Sequence, residues 1–526
     1  MFNIFDCAAL NDTLFPGYDY PPENKNAYVC SVLMLLYFVP EIQNAMLSCQ
    51  ERETAEETRG KKPSKSAPIL SAELGFLFHQ INSISDHAMC HPKPPGTKED
   101  PCRPIVGAFV PSNFLSAFTT MPEASALALL DDSAAAAEVA RRPEAFYRFL
   151  LHHLDKELGT EIGGKNSRQS SKKGSKPSKT KLIDLLQGLN TVTMNEFVTG
   201  SGPPSASLTR SYTVDLSYDA FRSKSDAEAT LPDFLQLLQY SLCLGPNRLR
   251  AWCDATKSYE TVVQRKIITT LPTILSLSCA CAGVHGEDRL PIWRKTSETN
   301  SHWLPEMIEV EIDDVGNIIT RQLTKNHDSQ EEVWEEFKGE GLPGSVLATL
   351  TDTASSDVAS RGQCARYRLD MVLTYLNDEA SDGGEQNCGR HIVHSRIPKS
   401  YKRRILSSQL ENIKRCATDN DRVNKLTLLR DVTSDDFEKR MQLVEEQLKQ
   451  LEVTEEEEWV LFNGPNVSST TVDDALAFHV PFKEPCIILF RQVDNDTDIS
   501  DVPKDDIWAD SPLRPGTYNL GIAIGL

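Results

Sequence analysis

The chain has 526 residues, of which 40% are hydrophobic and 25% are charged, and at about 150 residues per domain its length predicts about two to four domains. This composition excludes a wholly disordered chain. There are 75 acidic and 55 basic residues, so the formal net charge is −20. We therefore expect no broad surface for nucleic acid, although a local basic strip is compatible with this balance.

The longest apolar stretch, from Val29 to Val39, is interrupted by a serine and a tyrosine. It is too short for a membrane span, which needs about 20 residues. The N-terminus carries an early acid and no basic region, so it does not resemble a secretory signal. Thirteen cysteines without such a signal indicate reduced thiols and an intracellular protein.

The predicted elements change in character along the chain. Residues 27–38 predict a buried helix, with Asn24 or Asn26 as its cap. Helical periodicity recurs at 73–81 and 144–158. Strands are then predicted at 208–218, 267–279, 306–313, 365–376 and 485–493, with an amphipathic helix at 437–451. Helices followed by antiparallel strands indicate an α+β fold.

Four stretches lack the apolar residues that would offset the entropy of ordering them, and we expect them to be mobile insertions. They lie near 50–66, 91–104, 163–181 and 377–387. The basic stretch 163–181 suggests an RNA-binding arm or a solvated insertion. No aromatic residues interleave with its lysines to stack bases, which favours the insertion. Residues 396–404 suggest an RNA contact or a surface turn, and the turn is favoured. Glu455 to Glu458 are expected to form a solvated face.

Few motifs carry chemistry. The sequence has no glycine-rich phosphate loop, no His-Glu-x-x-His and no Gly-x-Ser-x-Gly, the signatures of several enzyme classes. Cys279 and Cys281 are two residues apart and Cys253 lies upstream, which is only half of a zinc knuckle. We therefore expect buried free thiols, with Cys253 as a vestige of a metal site, and no bound metal or cofactor.

Three segments resemble the motifs of ubiquitin-specific proteases, in the family's order. GYDYPPENKNAYVCSVLMLLYF resembles the cysteine box. YRLDMVLTYL followed by GRHIVH resembles the histidine box, and WVLFNG with VDDALAF and PCIILF resembles the closing motif. The resemblance implies a papain-like fold with a helical thumb and an antiparallel β palm and fingers.

Longer segments are similar to one branch of that family. They are KNAYVCSVLMLLYFVPEI, ELGFLFH, NFLSAFTTMPEASALAL and AWCDATKSYETVVQRKIITTLP. The branch is the inactive ubiquitin-protease-like domain of the catalytic subunit of the poly(A) nuclease deadenylation complex. The resemblance implies residues 1–16 as the end of a linker, 17–492 as this domain, and 493–526 as an acidic tail where an exonuclease would begin.

The resemblance also locates the positions where the family keeps its catalytic groups. The nucleophile position falls on Ala27, whose methyl group cannot attack a carbonyl. The base position falls on Arg390, which stays protonated and cannot accept a proton. Asn463 matches the residue that orients the base, and Lys25 stands where active relatives have an oxyanion donor. We therefore predict a degenerate site without catalytic residues.

Two neighbouring groups are candidates to restore the chemistry. Cys30 lies one helical turn after Ala27, but a structural thiol is the favoured interpretation. His391 adjoins Arg390, and on a strand a shift of one residue points a side chain to the opposite face. Neither group restores the predicted site.

The function implied by the resemblance is a non-catalytic scaffold in poly(A)-tail shortening and mRNA decay, in the cytoplasm and its P-bodies. Its expected partner is a pseudokinase-like regulatory subunit, with poly(A) mRNA reached indirectly through the complex. Neither a membrane nor ubiquitin is an expected partner. The alternatives are a pseudo-hydrolase that binds ubiquitin and an active thiol deubiquitinase.

Overall fold

The structure is a computed structural model, and the statements below concern the residues that it describes. These are 11, 13–18, 26–58, 70–86, 108–130, 136–161, 186, 188–199, 205–217, 233–243, 247–279, 302–312, 318–325, 332–336, 363–376, 390–423, 434–453, 457–478 and 483–493.

Six helices occupy the first part of the described chain, and four more are spread among and after the strands. They are α1 (Tyr28–Tyr37), α2 (Pro40–Thr58), α3 (Leu70–Asp86), α4 (Ser112–Thr119), α5 (Pro122–Ala126), α6 (Ala136–Glu161), α7 (Phe234–Cys243), α8 (Lys399–Val423), α9 (Ser434–Val453) and α10 (Val472–Leu476). Every residue of α1 is buried, as its apolar composition on all sides requires. No single described helix is long and apolar enough to cross a membrane. One pair of helices bent by 97°, Tyr28–Tyr37 with Pro40–Gln50, meets that test together by length and composition alone.

Strands form two sheets. They are β1 (Leu189–Phe197), β2 (Ser205–Ser211), β3 (Val214–Asp215), β4 (Asn247–Cys253), β5 (Ser258–Thr270), β6 (Ile274–Ser278), β7 (Met307–Ile312), β8 (Ile318–Lys325), β9 (Glu332–Glu336), β10 (Gln363–Leu376), β11 (Arg390–Ile397), β12 (Glu458–Asn463), β13 (Asn466–Thr470) and β14 (Lys483–Val493).

The large sheet has ten strands in the order β13-β12-β11-β10-β14-β6-β3, and β7, β8 and β9 extend it from β10. Its pairs are antiparallel except for β3 with β6. Alternate residues of a strand point to opposite faces. Accordingly, Leu373 of β10 packs with α1 in one hydrophobic cluster, and Val372 packs in a second cluster that includes α7. Both faces of this sheet are therefore buried.

The small sheet has the order β2-β1-β5-β4, and each of its neighbouring strands is antiparallel. Together with the large sheet and the helices, it confirms the predicted α+β class. The predicted helices at 27–38, 73–81, 144–158 and 437–451 are also confirmed.

Several predicted boundaries were wrong. The insertion predicted at 50–66 begins inside α2, which continues to Thr58 because its charged residues are good helix formers. The predicted strands at 208–218 and 267–279 are each divided in two, the second at Leu271 and Pro272. The surface turn predicted at 396–404 is instead the end of β11 and the start of α8, where Tyr401 is buried. Residues 59–66 and the other three predicted insertions lie outside the described residues.

Candidate functional site

The first predicted site residue stands at the start of the buried helix. Ala27 is the N-cap of α1, has helical dihedral angles (φ −59°, ψ −25°) and receives no side-chain cap. The cap predicted at Asn26 is therefore wrong. Its Oδ1 instead accepts a hydrogen bond from Arg142, at 3.5 Å. Asn24 and Lys25 lie outside the described residues.

The second site residue begins β11. Arg390 is exposed, whereas His391 is buried. His391 pairs with Tyr375 of β10, and the two rings lie 5.0 Å apart. Because alternate residues of a strand face opposite sides, the side chains of Arg390 and His391 point away from each other.

The third site residue ends β12. The register pairs Val393 with Phe462, so Asn463 follows on the face of the sheet that Arg390 shares. Asn463 and Asn466 pair across a two-residue loop, in which Gly464 has a φ of +64°. Proline at position 465 holds a negative φ, so the loop is a type II′ turn, which requires glycine first.

The fold brings the start of α1 and the start of β11 together. Tyr28 follows Ala27 and its ring lies 6.2 Å from the ring of His391. One turn further along α1, the Ser31 hydroxyl donates to the His391 carbonyl oxygen at 3.1 Å. The start of α1 therefore contacts the start of β11 through His391, whereas Arg390 and Asn463 lie on the opposite face of the strands. The assignment of Ala27, Arg390 and Asn463 to one site stays a prediction.

The N-terminal segment closes this arrangement, and the sequence pattern did not reveal it. The Tyr18 hydroxyl lies 2.9 Å from the Ser31 hydroxyl and 3.3 Å from the His391 carbonyl oxygen. A Cβ on Gly17 would lie 2.7 Å from the Pro465 carbonyl oxygen, so this close approach admits only glycine. Phe15 also lies in the core. The predicted domain boundaries stay predictions.

Neither Cys30 nor His391 is suited to restore thiol-protease chemistry. Cys30 is buried within α1, and burial raises the pKa of its thiol well above the usual range, so it is held in the unreactive thiol form. Burial lowers the pKa of His391 to about 3. His391 is therefore neutral at physiological pH, but it faces the core, where Tyr28 and Tyr375 enclose it.

The cysteines of the predicted vestigial knuckle are separated by their elements. Cys253 ends β4 of the small sheet, and Cys279 follows β6 of the large sheet. Both side chains are buried. Within the described ranges, no group of three or more histidine, cysteine or acidic residues is arranged to hold a metal. Cys281 lies outside those ranges.

A buried ion-pair network also escaped the sequence pattern. Glu457 was expected on a solvated face, but its side chain is only 5% exposed and lies 2.9 Å from the Arg368 guanidinium. Arg396 approaches the same carboxylate at 3.7 Å and pairs with Glu306. Two arginines from neighbouring strands therefore hold the acidic segment against the large sheet, so the expectation for Glu457 was wrong.

Comparison with known proteins identifies the family to which this chain belongs. A model described as ubiquitin carboxyl-terminal hydrolase matches residues 104–379, more than half of the chain. Among curated relatives, the PAN2-PAN3 deadenylation complex catalytic subunit PAN2 of Homo sapiens is 30% identical over 302 residues, which is 56% of this chain and 21% of that protein. PAN2 of Gallus gallus is 24% identical over 425 residues, 76% of this chain and 31% of that protein. The chain thus spans less than a third of the length of these relatives.

Solved structures are also similar. The Saccharomyces cerevisiae PAN2 pseudoubiquitin-hydrolase-RNase module aligns with a TM-score of 0.52 at 15% identity, over 95% of this chain and 56% of that chain. The apo Pan2 pseudoubiquitin hydrolase-RNA exonuclease module gives 0.50 at 16% identity, over 93% and 56%. This likeness shows the fold. It confirms the resemblance to the inactive ubiquitin-protease-like domain and the fold predicted from it.

Proposed function

Because this chain belongs to the ubiquitin carboxyl-terminal hydrolase family, we propose that it is a non-catalytic member that serves as a scaffold in a poly(A)-specific deadenylation complex. The names of the curated relatives support the link to deadenylation. The process served is the shortening of poly(A) tails in mRNA decay, in the cytoplasm and its P-bodies.

One observation carries the non-catalytic part. The start of α1, where the family places its thiolate, has a methyl group at Ala27, and the next thiol along the helix, Cys30, is buried. Thiol proteases need an exposed thiolate beside a base that accepts its proton. The permanently charged Arg390 offers no such base. We propose that Ala27, Arg390 and Asn463, with Lys25, form a degenerate site.

The partner follows from the relatives' complex. PAN2 is named as a subunit of the PAN2-PAN3 complex, and we propose that this chain holds a PAN3-like regulatory subunit of pseudokinase type. The buried core and ion-pair networks of the large sheet supply the rigidity that a scaffold needs. Poly(A) mRNA is reached through the assembled complex.

A ubiquitin C-terminal reporter tests the first part. The wild-type chain is expected to release no dye above the buffer background, and Cys30→Ser is expected to change nothing. Release by the wild type that Cys30→Ser abolishes would establish an active thiol deubiquitinase. Chemical-shift changes in labelled ubiquitin without cleavage would instead establish a ubiquitin-binding pseudo-hydrolase.

Co-expression with the PAN3-like subunit tests the second part. The two chains are expected to co-elute in gel filtration at micromolar concentration. Elution as two separate species would contradict the scaffold proposal for this chain.

A further inference from the structure

Exposed apolar side chains concentrate on the small sheet. Nine large apolar residues are exposed among those that the structure describes, and four of them share one face of this sheet. They are Trp252 (49% exposed), Tyr259 (62%), Val198 (62%) and Leu208 (59%). Trp252, Tyr259 and Val198 lie at one end of the sheet, whereas Leu208 pairs through Val192 with Ile267, eight residues along β5 from Tyr259. A group of exposed apolar residues such as the first three marks an interaction site more often than isolated exposed residues do.

The strand register places these four residues on one face. Trp252 of β4 pairs with Tyr259 of β5, and Leu208 of β2 pairs with Val192 of β1. The Val198 amide donates to the Thr261 carbonyl oxygen, two residues along β5 from Tyr259. Since alternate residues share a face, these side chains all lie on the same side.

The opposite face is covered only in part. Val262 of β5 and Cys253 of β4 are displaced by an odd number of residues from Tyr259 and Trp252, and their exposures are only 3% and 1%. Leu249 of β4 lies on the same face as Cys253 and is 41% exposed, and β2 is exposed along most of its length. The side that carries Trp252 and Tyr259 is therefore the more open one. We name this side, carrying Trp252, Tyr259, Val198 and Leu208, the aromatic face.

The two rings and an arginine lie together at one end of the aromatic face. The Trp252 and Tyr259 ring centroids are 5.4 Å apart with an interplanar angle of 74°. The indole Nε1 donates to Asp254 at 3.1 Å, which fixes the orientation of the ring. Arg250, two residues before Trp252, is exposed on the same side and donates to the Tyr259 carbonyl oxygen at 3.4 Å.

The charge of this sheet is opposite to that of the chain. Its strands carry five basic residues against two acidic ones, in a protein with a net charge of −20. The basic residues are Arg210, Arg248, Arg250, Arg265 and Lys266, and the acidic ones are Glu196 and Glu260. Aromatic rings with arginines on an open sheet suit a ligand with both stacking bases and phosphates.

We propose that the aromatic face binds single-stranded RNA, with bases stacked on Trp252 and Tyr259 and phosphate paired with Arg250. Charge complementarity favours this polyanion over a protein, the competing occupant of an apolar surface. The choice of poly(A) as the RNA rests on the proposed function. The binding chemistry does not.

Fluorescence anisotropy of labelled oligo(A) with the full chain tests the proposal. Trp252→Ala and Tyr259→Ala are each expected to raise Kd at least about fivefold, the lower end of the loss per stacked base. Trp252→Phe is expected to retain most of the affinity, because a ring remains for stacking. Arg250→Gln is expected to weaken binding and to reduce its salt dependence. Val453→Ala removes an exposed side chain far from the sheet, at the end of α9, and is the matched control.

Two outcomes would overturn the proposal. One is the absence of saturable binding by the wild type at about 100 µM protein and about 50 mM salt, where even non-specific binding is measurable. The other is equal affinity in the wild type and the folded double variant Trp252→Ala/Tyr259→Ala.

Co-elution of the double variant with the PAN3-like subunit separates this proposal from the proposed function. Lost RNA binding with retained co-elution is the expected result. Unchanged RNA binding with lost co-elution would assign the aromatic face to a protein and overturn the RNA proposal. A wild-type chain that binds RNA but never co-elutes would contradict only the scaffold function.

Discussion

The two sheets of this protein differ in what lies over their faces. The large sheet is covered on both sides by hydrophobic clusters, and α1 packs against it in one of them. The small sheet is covered only in part, and its more open side presents two aromatic rings and an arginine. In the large sheet, buried side chains maintain the fold on both faces. In the small sheet, aromatic side chains are exposed on one face, and binding is expected there.

The sharpest contrast between the sheets is the energy of their ion pairs. The Arg491 guanidinium of β14 lies 2.6 Å from the Asp370 carboxylate and 3.0 Å from the Glu41 carboxylate. Arg491→Leu removes this partner from Glu41 and leaves Asp370 with only the Arg368 guanidinium, 3.7 Å away, so we expect it to lower the free energy of unfolding by about 3 kcal/mol. Chemical denaturation measures this loss.

Lys257 and Asp254 of the small sheet form the matched control, with side chains 72% and 87% exposed. Lys257→Leu is expected to change the free energy of unfolding by less than about 0.5 kcal/mol. Equal effects of the two substitutions would remove the energetic distinction between the sheets.

A thiol placed at position 27 and the thiol of Cys30, one helical turn later, are expected to differ in accessibility. A cysteine introduced by Ala27→Cys is half-buried at the start of α1, whereas Cys30 is fully buried and its thiol pKa is raised. We expect iodoacetamide to modify the introduced thiol at least about a hundredfold faster, because the thiolate is the reacting form. Mass spectrometry at each site measures the rates. Comparable rates would show that the Cys30 thiol is accessible.

Buried histidines make the large sheet sensitive to acid. Burial lowers the pKa values of His391 and His394 to about 3. A folded-state pKa below the unfolded value of about 6.5 gives stability that is present above pH 6.5 and lost as the pH falls. From about pH 7 to about pH 5, each histidine is expected to cost about 2 kcal/mol of unfolding free energy. His391→Phe removes one of the two buried histidines. The free energy of unfolding is therefore expected to change less between the two pH values in this variant than in the wild type. An unchanged pH dependence would contradict the neutral, buried state of His391.

The smallest effect is expected within the aromatic face itself. Trp252 and Tyr259 form a cross-strand pair, which contributes about 0.2–1 kcal/mol to a sheet. A double-mutant cycle with alanine at both positions is expected to give a coupling energy in that range. A larger coupling would mean that the rings serve stability, and the contrast with the large sheet would weaken.

The sequence was sufficient to predict α1, and the positions of the degenerate site stay a prediction from the family motifs. Its residues 27–38 are apolar on every side, and the family motifs mark Ala27, Arg390 and Asn463 without reference to a structure. The contacts between α1 and β11 were not predictable, because Tyr18, Ser31 and His391 meet only through the fold. Their hydrogen bonds join residues more than 350 positions apart.

Charged segments misled the sequence interpretation in two places. Residues 50–58 have no apolar periodicity, but their glutamates and arginine favour a helix, and α2 continues through them. The acidic run at 455–458 has the composition of a solvated face. Arg368 and Arg396, about 90 and 60 residues earlier, nevertheless bury Glu457. Composition gives the charge of a segment and does not reveal a distant partner.

The close approach of Gly17 to Pro465 has a consequence for how the protein folds during its synthesis. The Tyr18 amide donates to the Gly464 carbonyl oxygen, and Asn11 bridges to Val467. The first described residues therefore lack these partners until about 450 more residues have been synthesised. At typical elongation rates this takes roughly 25 to 90 s. Until then, the apolar surface of α1 lacks β11 and β12. We expect the nascent chain to depend on chaperones until residues 464–467 have left the ribosome and to complete this part of its core only then.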